Sequence, residues 1–284
     1  MELDHWEKKF DALKPYMALV NTRVGDMAVY THDNIVSYAI RLYGEYCHAE
    51  VNVMCRYLKK ESGYLDVGTN IGYHARAVQK QSGCDVLGFE PNPNHFVVAS
   101  YNCKDLPIQI FNAAVGNHTG KTHIKTFVPD QVENFGNISI VDGNGDEVEL
   151  IKLDSINIAK CDLIKIDVEG FELQVLEGAV NLIDRFKPVI FYEAQEEELW
   201  PECWQFLDDR GYKQYWVACR NSPIGVTHRK PELDNPFGTS GVMNVLAVPA
   251  DKEQPTDLMP VLKDQQFADA VRQHKNNIHY TKHY

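Results

Sequence analysis

Four acidic side chains stand where short apolar runs give out. They are Asp66 in Tyr64-Leu65-Asp66-Val67, Glu90 in Gly88-Phe89-Glu90-Pro91, Asp167 after Leu163-Ile164-Lys165-Ile166, and Glu193 after Val189-Ile190-Phe191-Tyr192. Runs of this kind read as buried strands, and a carboxylate at the tip of a buried strand needs a reason because an unpaired buried charge is costly. One reason is to balance a cationic ligand. Another is to take the proton of an incoming hydroxyl as a general base. Asp167 and Glu169 alternate onto one face if the chain stays extended, and Glu193 is a further candidate base. Glu169 and Glu172 also suit the N-terminal end of the helix they open. Oxygen ligands such as Asp167, Glu169 and Glu193 are compatible with Mg²⁺ or Ca²⁺, but nothing in the spacing requires a metal. His74 and His95 fall early on helices and read as helix-surface or capping residues.

The turn after the first of these runs is Asp66-Val67-Gly68-Thr69-Asn70-Ile71-Gly72. Gly68 permits a tight turn and Gly72 a close approach. The spacing D-x-G-x-x-x-G is not the G-x-G-x-x-G that presents amides to a pyrophosphate. An aspartate at the ligand-facing strand end suits a phosphate-free, positively charged cofactor, and S-adenosylmethionine has that chemistry. Glu90 follows Asp66 by 24 residues and is placed to accept both hydrogens of a ribose diol.

These residues need a scaffold that brings strand ends together. Strands over 64–67, 85–90, 108–111, 163–167 and 188–193 alternate with helical stretches over 71–81, 94–102, 172–185 and 199–210. That alternation predicts βαβ units and a parallel sheet. Residues 212–218 and 242–248 read as two final strands, and the long intervening loop 219–241, with the segment Tyr43–Glu50, is expected to shape acceptor choice. Tyr46, Tyr215 and Trp216 are candidates to stack on an acceptor. Residues 116–153 break the alternation and read as an inserted or edge β element. The organisation expected is an N-terminal helical extension over 1–60 packed on a catalytic domain over 61–250, then a polar tail over 251–284.

The formal net charge of −12 argues against general affinity for nucleic acid or anionic membrane. Seven cysteines without a C-x-x-C pair read as free thiols in a reducing compartment, with clustering too loose for zinc. The N-terminus lacks the apolar core of a signal peptide, and no stretch approaches the roughly 18 apolar residues that span a bilayer. The expectation is a cytoplasmic protein.

Read in order, the motifs resemble the FkbM-type S-adenosylmethionine-dependent methyltransferases. The resemblance rests on Arg41-Leu42-Tyr43-Gly44-Glu45-Tyr46, Leu65 to Gly72, Phe89-Glu90-Pro91-Asn92-Pro93, Asn112-Ala113-Ala114-Val115-Gly116, Glu133-Asn134-Phe135-Gly136, Leu153-Asp154-Ser155 and Ile164 to Glu172. It implies a class I methyltransferase fold, a Rossmann-like α/β sheet of seven mostly parallel strands with the last antiparallel and helices on both faces. It implies that Asp66, Gly68, Thr69, Asn70 and Gly72 cradle the methionine part of the cofactor and Glu90 the ribose. Asn112 and Ala113 would lie near the adenine, with Tyr73, Pro91 and Asn92 in the same site. The Asp167–Glu169 segment would face the methyl group and the acceptor, and S-adenosylhomocysteine would be the product. Such enzymes methylate oxygen, often on sugars or natural products, so the partner expected is a small-molecule or glycan acceptor. Two departures are Thr69, where Ala is commoner, and Phe191 to Gln195, where a Glu followed later by His is frequent. The rival readings are an NAD-dependent oxidoreductase, an RNA ribose methyltransferase, and a catalytically inactive module that binds S-adenosylmethionine.

Overall fold

The chain opens with helix α1 (Leu3–Leu13), a hairpin of β1 (Met17–Thr22) and β2 (Gly25–Tyr30), and helices α2 (Val36–Tyr43) and α3 (His48–Cys55). Strand and helix then alternate through β3 (Gly63–Val67), α4 (Tyr73–Ser82), β4 (Asp85–Phe89), α5 (Pro93–Cys103) and β5 (Ile108–Phe111). After an insertion come β10 (Leu163–Ile166), α6 (Glu172–Glu177), α7 (Val180–Phe186), β11 (Val189–Glu193), α8 (Trp200–Asp208), β12 (Tyr212–Arg220), β13 (Gly241–Pro249) and β14 (Met259–Pro260). The insertion contributes β6 (Ala114–Val115), β7 (Gly120–Ile124), β8 (Ile140–Val141) and β9 (Asp146–Ile151). This is a computed structural model, and it describes residues 3–137, 139–141, 143–194, 200–221, 237 and 241–262.

The main sheet runs β14-β12-β13-β11-β10-β3-β4-β5. Its five central and edge strands β5, β4, β3, β10 and β11 are parallel, and β13 pairs antiparallel with both β11 and β12. The chain steps outward from β3 to β4 and β5, then returns to β3's other side as β10. A crevice therefore opens at the carboxyl ends of β3 and β10, the switch point where open α/β sheets bind ligands. This is the class I arrangement expected, with eight strands rather than seven: β14 pairs with β12 at Trp216↔Met259 and extends the edge.

Alternate residues of each strand feed two apolar layers, as the two-residue period requires. Tyr64, Phe191 and Leu246 face one layer with α1, the hairpin, α3, α4 and α5. Leu65, Val67, Ile190, Tyr192 and Val245 face the other with α6, α7 and α8. The lead-in is thus not only helical. Its β1–β2 hairpin shares the first layer, and Met27, Val29 and Tyr30 are fully buried. The hairpin has a weak alternating pattern because β1 leaves Leu19 65% exposed while every residue of β2 from Met27 on is buried.

The segment 172–185 forms two helices, not one. Gly178 lies so close to the Gly116 carbonyl that a Cβ there would come within 1.9 Å of it. Its own carbonyl accepts from Asp154 N–H, and the Asp154 carboxylate accepts from Asn181 and Leu182 N–H at the start of α7. Helix α3 ends at Cys55 rather than running to Lys60. The inserted element expected over 116–153 is a separate four-stranded sheet of order β6-β9-β7-β8. Most of the loop 219–241, residues 195–199 and the tail beyond 262 lie outside the described residues.

Asn102 of α5 fastens the hairpin to the sheet. Its Nδ2 donates to Ala28 O at 2.9 Å and Ile71 O at 2.8 Å, and its Oδ1 accepts from Ala28 N at 2.7 Å. An Asn102→Ala variant leaves three buried backbone groups without partners, at about 1–3 kcal/mol each. Urea denaturation should show a loss of about 3 kcal/mol or more; a loss under about 1 kcal/mol would show that the hairpin does not lean on this side chain.

Candidate active site

The turn after β3 is built by three residues with positive φ. Gly68 has φ +84, Asn70 +51 and Gly72 +86. Gly68 cannot carry a side chain, since a Cβ would meet the Asp167 carbonyl at 1.7 Å. The tips of β3 and β10 are thereby brought into contact. Gly68 and Thr69 N–H both donate to Phe89 O at 3.0 Å, which ties the turn to the end of β4. The Thr69 hydroxyl, the departure from Ala, donates to Asp66 O at 2.8 Å and so closes the turn on itself. Gly72 lies against Cys103 and Ala99 of α5.

Beyond β4 sits Glu90, 5% exposed. Its Oε2 accepts from Asn70 N–H and its Oε1 from Asn92 N–H, each at 2.8 Å. Burial pushes the carboxyl up to about 7 despite these two donors. Asn112 donates to the carbonyls of Glu90 and Pro91, each at 2.9 Å, and clamps the turn that carries Glu90.

A buried ammonium organises the other side. Lys165 Nζ is 2.8 Å from Asp167 Oδ2 and 3.8 Å from Asp66 Oδ1. Burial works to lower the Lys165 pKa, but the two aspartates more than reverse this. Burial also works to raise Asp167, and the attraction and hydrogen bond of Lys165 outweigh it, so the carboxyl is held below its ordinary value. Glu193 is pushed the opposite way, by burial first and then by Asp167, Glu169 and Glu172. Within that pair the shifts run in opposite directions: Lys165 favours the charged form of Asp167, and burial favours the neutral form of Glu193. Oxygens of Asp167, Glu169 and Glu193 all lie within 4.8 Å of one another, and Glu169 adopts a left-handed φ of +55. Glu172 accepts from Val168 and Gly170 N–H at 3.2 and 3.3 Å and holds this turn from below.

These groups surround a cavity of about 330 Å³. Among the residues singled out in the sequence, Gly68, Thr69, Asn70, Tyr73, Glu90, Pro91, Ala113, Asp167, Glu169 and Glu193 line it. Four do not. Asp66 is fully buried behind the turn, Gly72 packs on α5, and Asn112 braces the Glu90 turn. Asn92 caps α5, accepting from Asn94 and His95 N–H. His74 and His95 are not surface residues. Both are buried and line the cavity, with His74 Nε2 3.3 Å from Glu50 Oε2 and His95 Nδ1 3.9 Å from Glu90 Oε1. Burial pushes His95 down to about 3. Tyr46 lines the cavity, whereas Trp216 is core and Tyr215 donates to Gln254 on the far edge.

Sequence reasoning passed over Glu50 and Asn244, and saw Lys165 only as a strand lysine. Lys165 carried a signal, a lysine inside an otherwise apolar strand. Glu50 and Asn244 meet only in the fold, where Asn244 Nδ2 donates to Glu50 Oε1 at 2.9 Å. No helix among the described residues is long and apolar enough to cross a membrane.

Comparison with known proteins finds methyltransferases. The hexuronic acid methyltransferase AglP of Haloferax volcanii is 32% identical over 133 residues, covering 44% of this chain. The match takes in 53% of that protein, so the chain spans about half the length of this curated relative. Among solved structures, the methyltransferase FkbM of Methylobacillus flagellatus is 16% identical with a TM-score of 0.44, over 84% of this chain and 58% of that one. The precorrin-6y C5,15-methyltransferase of Geobacter metallireducens is 15% identical with a TM-score of 0.45, over 71% and 87%. The family model of the methyltransferase FkbM domain matches residues 66–213, from the first glycine turn to the start of β12. The chain belongs to the FkbM methyltransferase domain family.

Proposed function

We propose that this chain is an S-adenosylmethionine-dependent O-methyltransferase whose acceptor is a hydroxyl of a sugar or a related small molecule. The observation that carries the reading is the meeting of Glu90 and the Asp167–Glu169–Glu193 cluster around one glycine turn at the switch point of the sheet. The cavity walls fit the cofactor chemically. They hold five carboxyl side chains, Glu50, Glu90, Asp167, Glu169 and Glu193, which suits a ligand with cationic groups and no phosphate. The close approach of Gly68 to the Asp167 carbonyl brings the glycine turn and the acid cluster to one wall of the cavity.

On this reading Glu90 accepts the ribose hydroxyls, the 68–70 turn receives the methionine part, and Ala113 and Pro91 flank the base. When bound, the cofactor supplies an electrophilic methyl group on a sulfonium. The chain's own contribution is alignment at near-attack distance and proton removal. Asp167, whose charged form Lys165 favours, takes the hydroxyl proton, with Glu169 and Glu193 around it. The hexuronic acid activity named for the Haloferax volcanii relative supports a sugar acceptor. The net charge of −12 supports a small molecule over RNA.

Incubation with methyl-labelled cofactor and a panel of neutral, amino and uronic methyl glycosides should yield a labelled methyl ether; cofactor binding with no product from any of them would favour an inactive binding module. Asp167→Asn should lower turnover by about 100-fold or more while cofactor affinity stays within a few-fold. An unchanged turnover removes Asp167 as the base. Glu90 must be ionised to accept both diol hydrogens, and in the free protein it gives up its proton near pH 7. Cofactor affinity measured by calorimetry should therefore rise as pH rises through about 7 and level off above. Glu90→Gln should weaken binding by about 10- to 100-fold and flatten that profile; a steep profile retained in the variant would assign the titration to another group.

A further inference from the structure

Outside the acid cluster, two cysteines far apart in the sequence meet beside a buried glutamate. Cys47 precedes α3, Glu50 lies in its first turn, and Cys219 lies on β12. All three are buried, and a sulfur from each cysteine and an oxygen of Glu50 lie within 4.8 Å of one another. We propose that Cys47, Cys219 and Glu50 form a binding site for a thiophilic divalent cation of the zinc class.

The spacing fits the ion. Sulfur at about 2.3 Å and oxygen at about 2.0 Å from a tetrahedral centre are separated by roughly 3.5–3.8 Å from one another, inside the observed span. Thiolate sulfur with a carboxylate selects zinc over magnesium or calcium, which take oxygen alone. The surroundings are arranged as a ligand's support would be. Asn244 Nδ2 holds Glu50 Oε1 at 2.9 Å, and the buried His74 Nε2 stands 3.3 Å from Oε2 without a hydrogen bond of its own. Such outer contacts fix the orientation of a ligating carboxylate. Cys47 reaches this position at a backbone cost, since it adopts a left-handed φ of +43 and its side chain makes no capping bond to α3.

Binding replaces two S–H protons by two metal–sulfur bonds and releases both protons to solvent. In the metal-free protein the Cys47 thiol is held well above its ordinary value by its hydrogen bond with Cys219 and by burial. Two thiolates and one carboxylate around a divalent ion leave a single negative charge, towards which Asn244 donates through Glu50; Asn221 Oδ1, which accepts from Cys47 Sγ in the metal-free protein, would have to give up that bond. Three protein ligands leave a fourth position for water or for His74. Glu50 and His74 also line the main cavity, so the ion would stand directly behind its wall. The acid cluster at Asp167 is a different case, because Lys165 already supplies a cation 2.8 Å from Asp167.

The test uses cobalt(II) as the probe on the full-length, fully reduced protein. One equivalent should bind with a thiolate-to-metal charge-transfer band and the visible bands of a tetrahedral ion. Cys47→Ser and Cys219→Ser should each abolish or sharply weaken that band, Cys161→Ser should leave it intact, and Glu50→Gln should weaken affinity by about 10- to 100-fold. X-ray absorption on the zinc-loaded wild type needs no variant and should show two sulfur neighbours at about 2.3 Å. Failure to take up one equivalent, a nitrogen and oxygen shell without sulfur, or binding that survives both serine variants would each overturn the site. Calorimetry with S-adenosylmethionine on the metal-free protein keeps the two readings apart. Cofactor binding without metal uptake sinks only the metal site, and metal uptake without cofactor binding sinks only the methyl-transfer reading.

Discussion

Lys165 is 2% exposed in the middle of the sheet, and the parallel register sets it beside Asp66 of the neighbouring strand. An ammonium so placed survives only with carboxylates around it. Asp66, fully buried and with no hydrogen bond to either oxygen, needs the cation equally. Burial works to raise the Asp66 carboxyl and Lys165 works against it. Removing Lys165 would leave Asp66 buried without its cation, a loss of about 3–5 kcal/mol, whereas removing Asp66 would leave Lys165 paired with Asp167 alone. Asp167 joins them from the tip of β10. The ion pairs therefore tie β3 to β10 at the one place where the sheet's strand order reverses, and the crevice inherits its position from them.

Other contacts convert that position into a rigid frame. Asn70 and Asn92 N–H aim Glu90 from two directions, and Asn112 fixes the carbonyls of the same turn. Asn92 both caps α5 and orients Glu90, so the helix start and the ligand-facing acid are one local structure. On the opposite wall Glu172 bonds the N–H groups of Val168 and Gly170 and holds Glu169 in its left-handed conformation. Asn94 and Asn112 lie in ordinary polar company, yet only Asn112 braces the site; type and spacing alone do not separate the two.

The legible part of the sequence was the part encoded locally. Runs such as Leu163 to Ile166 have no polar face except Lys165, so their burial and parallel pairing were readable. The glycine turn and the acids at strand ends were readable because the turn constrains residues a few positions apart. What was not readable depends on contacts distant in sequence. The hairpin of residues 17–30 is buried by α5 and the turn after β3, not by an alternation of its own. The break at Gly178 answers to the Gly116 backbone. His74 looked like a surface helix residue because the α3 side chain that meets it, Glu50, belongs to a segment with no detectable relation to α4. Cys47 and Cys219 came together for the same reason.

On the proposed methyl-transfer reading, the charge state of the acid cluster bears on rate as well as on binding. Methyl transfer from a sulfonium to a hydroxyl removes positive charge from the site, so groups that hold a cation tightly favour the starting state over the transition state. Only interactions that strengthen towards the transition state accelerate the step. Three bare carboxylates at Asp167, Glu169 and Glu193 would therefore be poor catalysts for this chemistry, however well they attracted a cationic ligand. The structure tempers them. Lys165 is hydrogen-bonded to Asp167, and burial with the neighbouring acids raises the Glu193 carboxyl, so both work to reduce the negative field on the cavity. On that reading Asp167 would take the hydroxyl proton and turn neutral as the sulfonium loses its charge, so the two opposite charges vanish together. The lysine inside the sheet and the glutamate at its rim would then serve one end: an acid cluster strong enough to position a cation and weak enough to let its charge disappear.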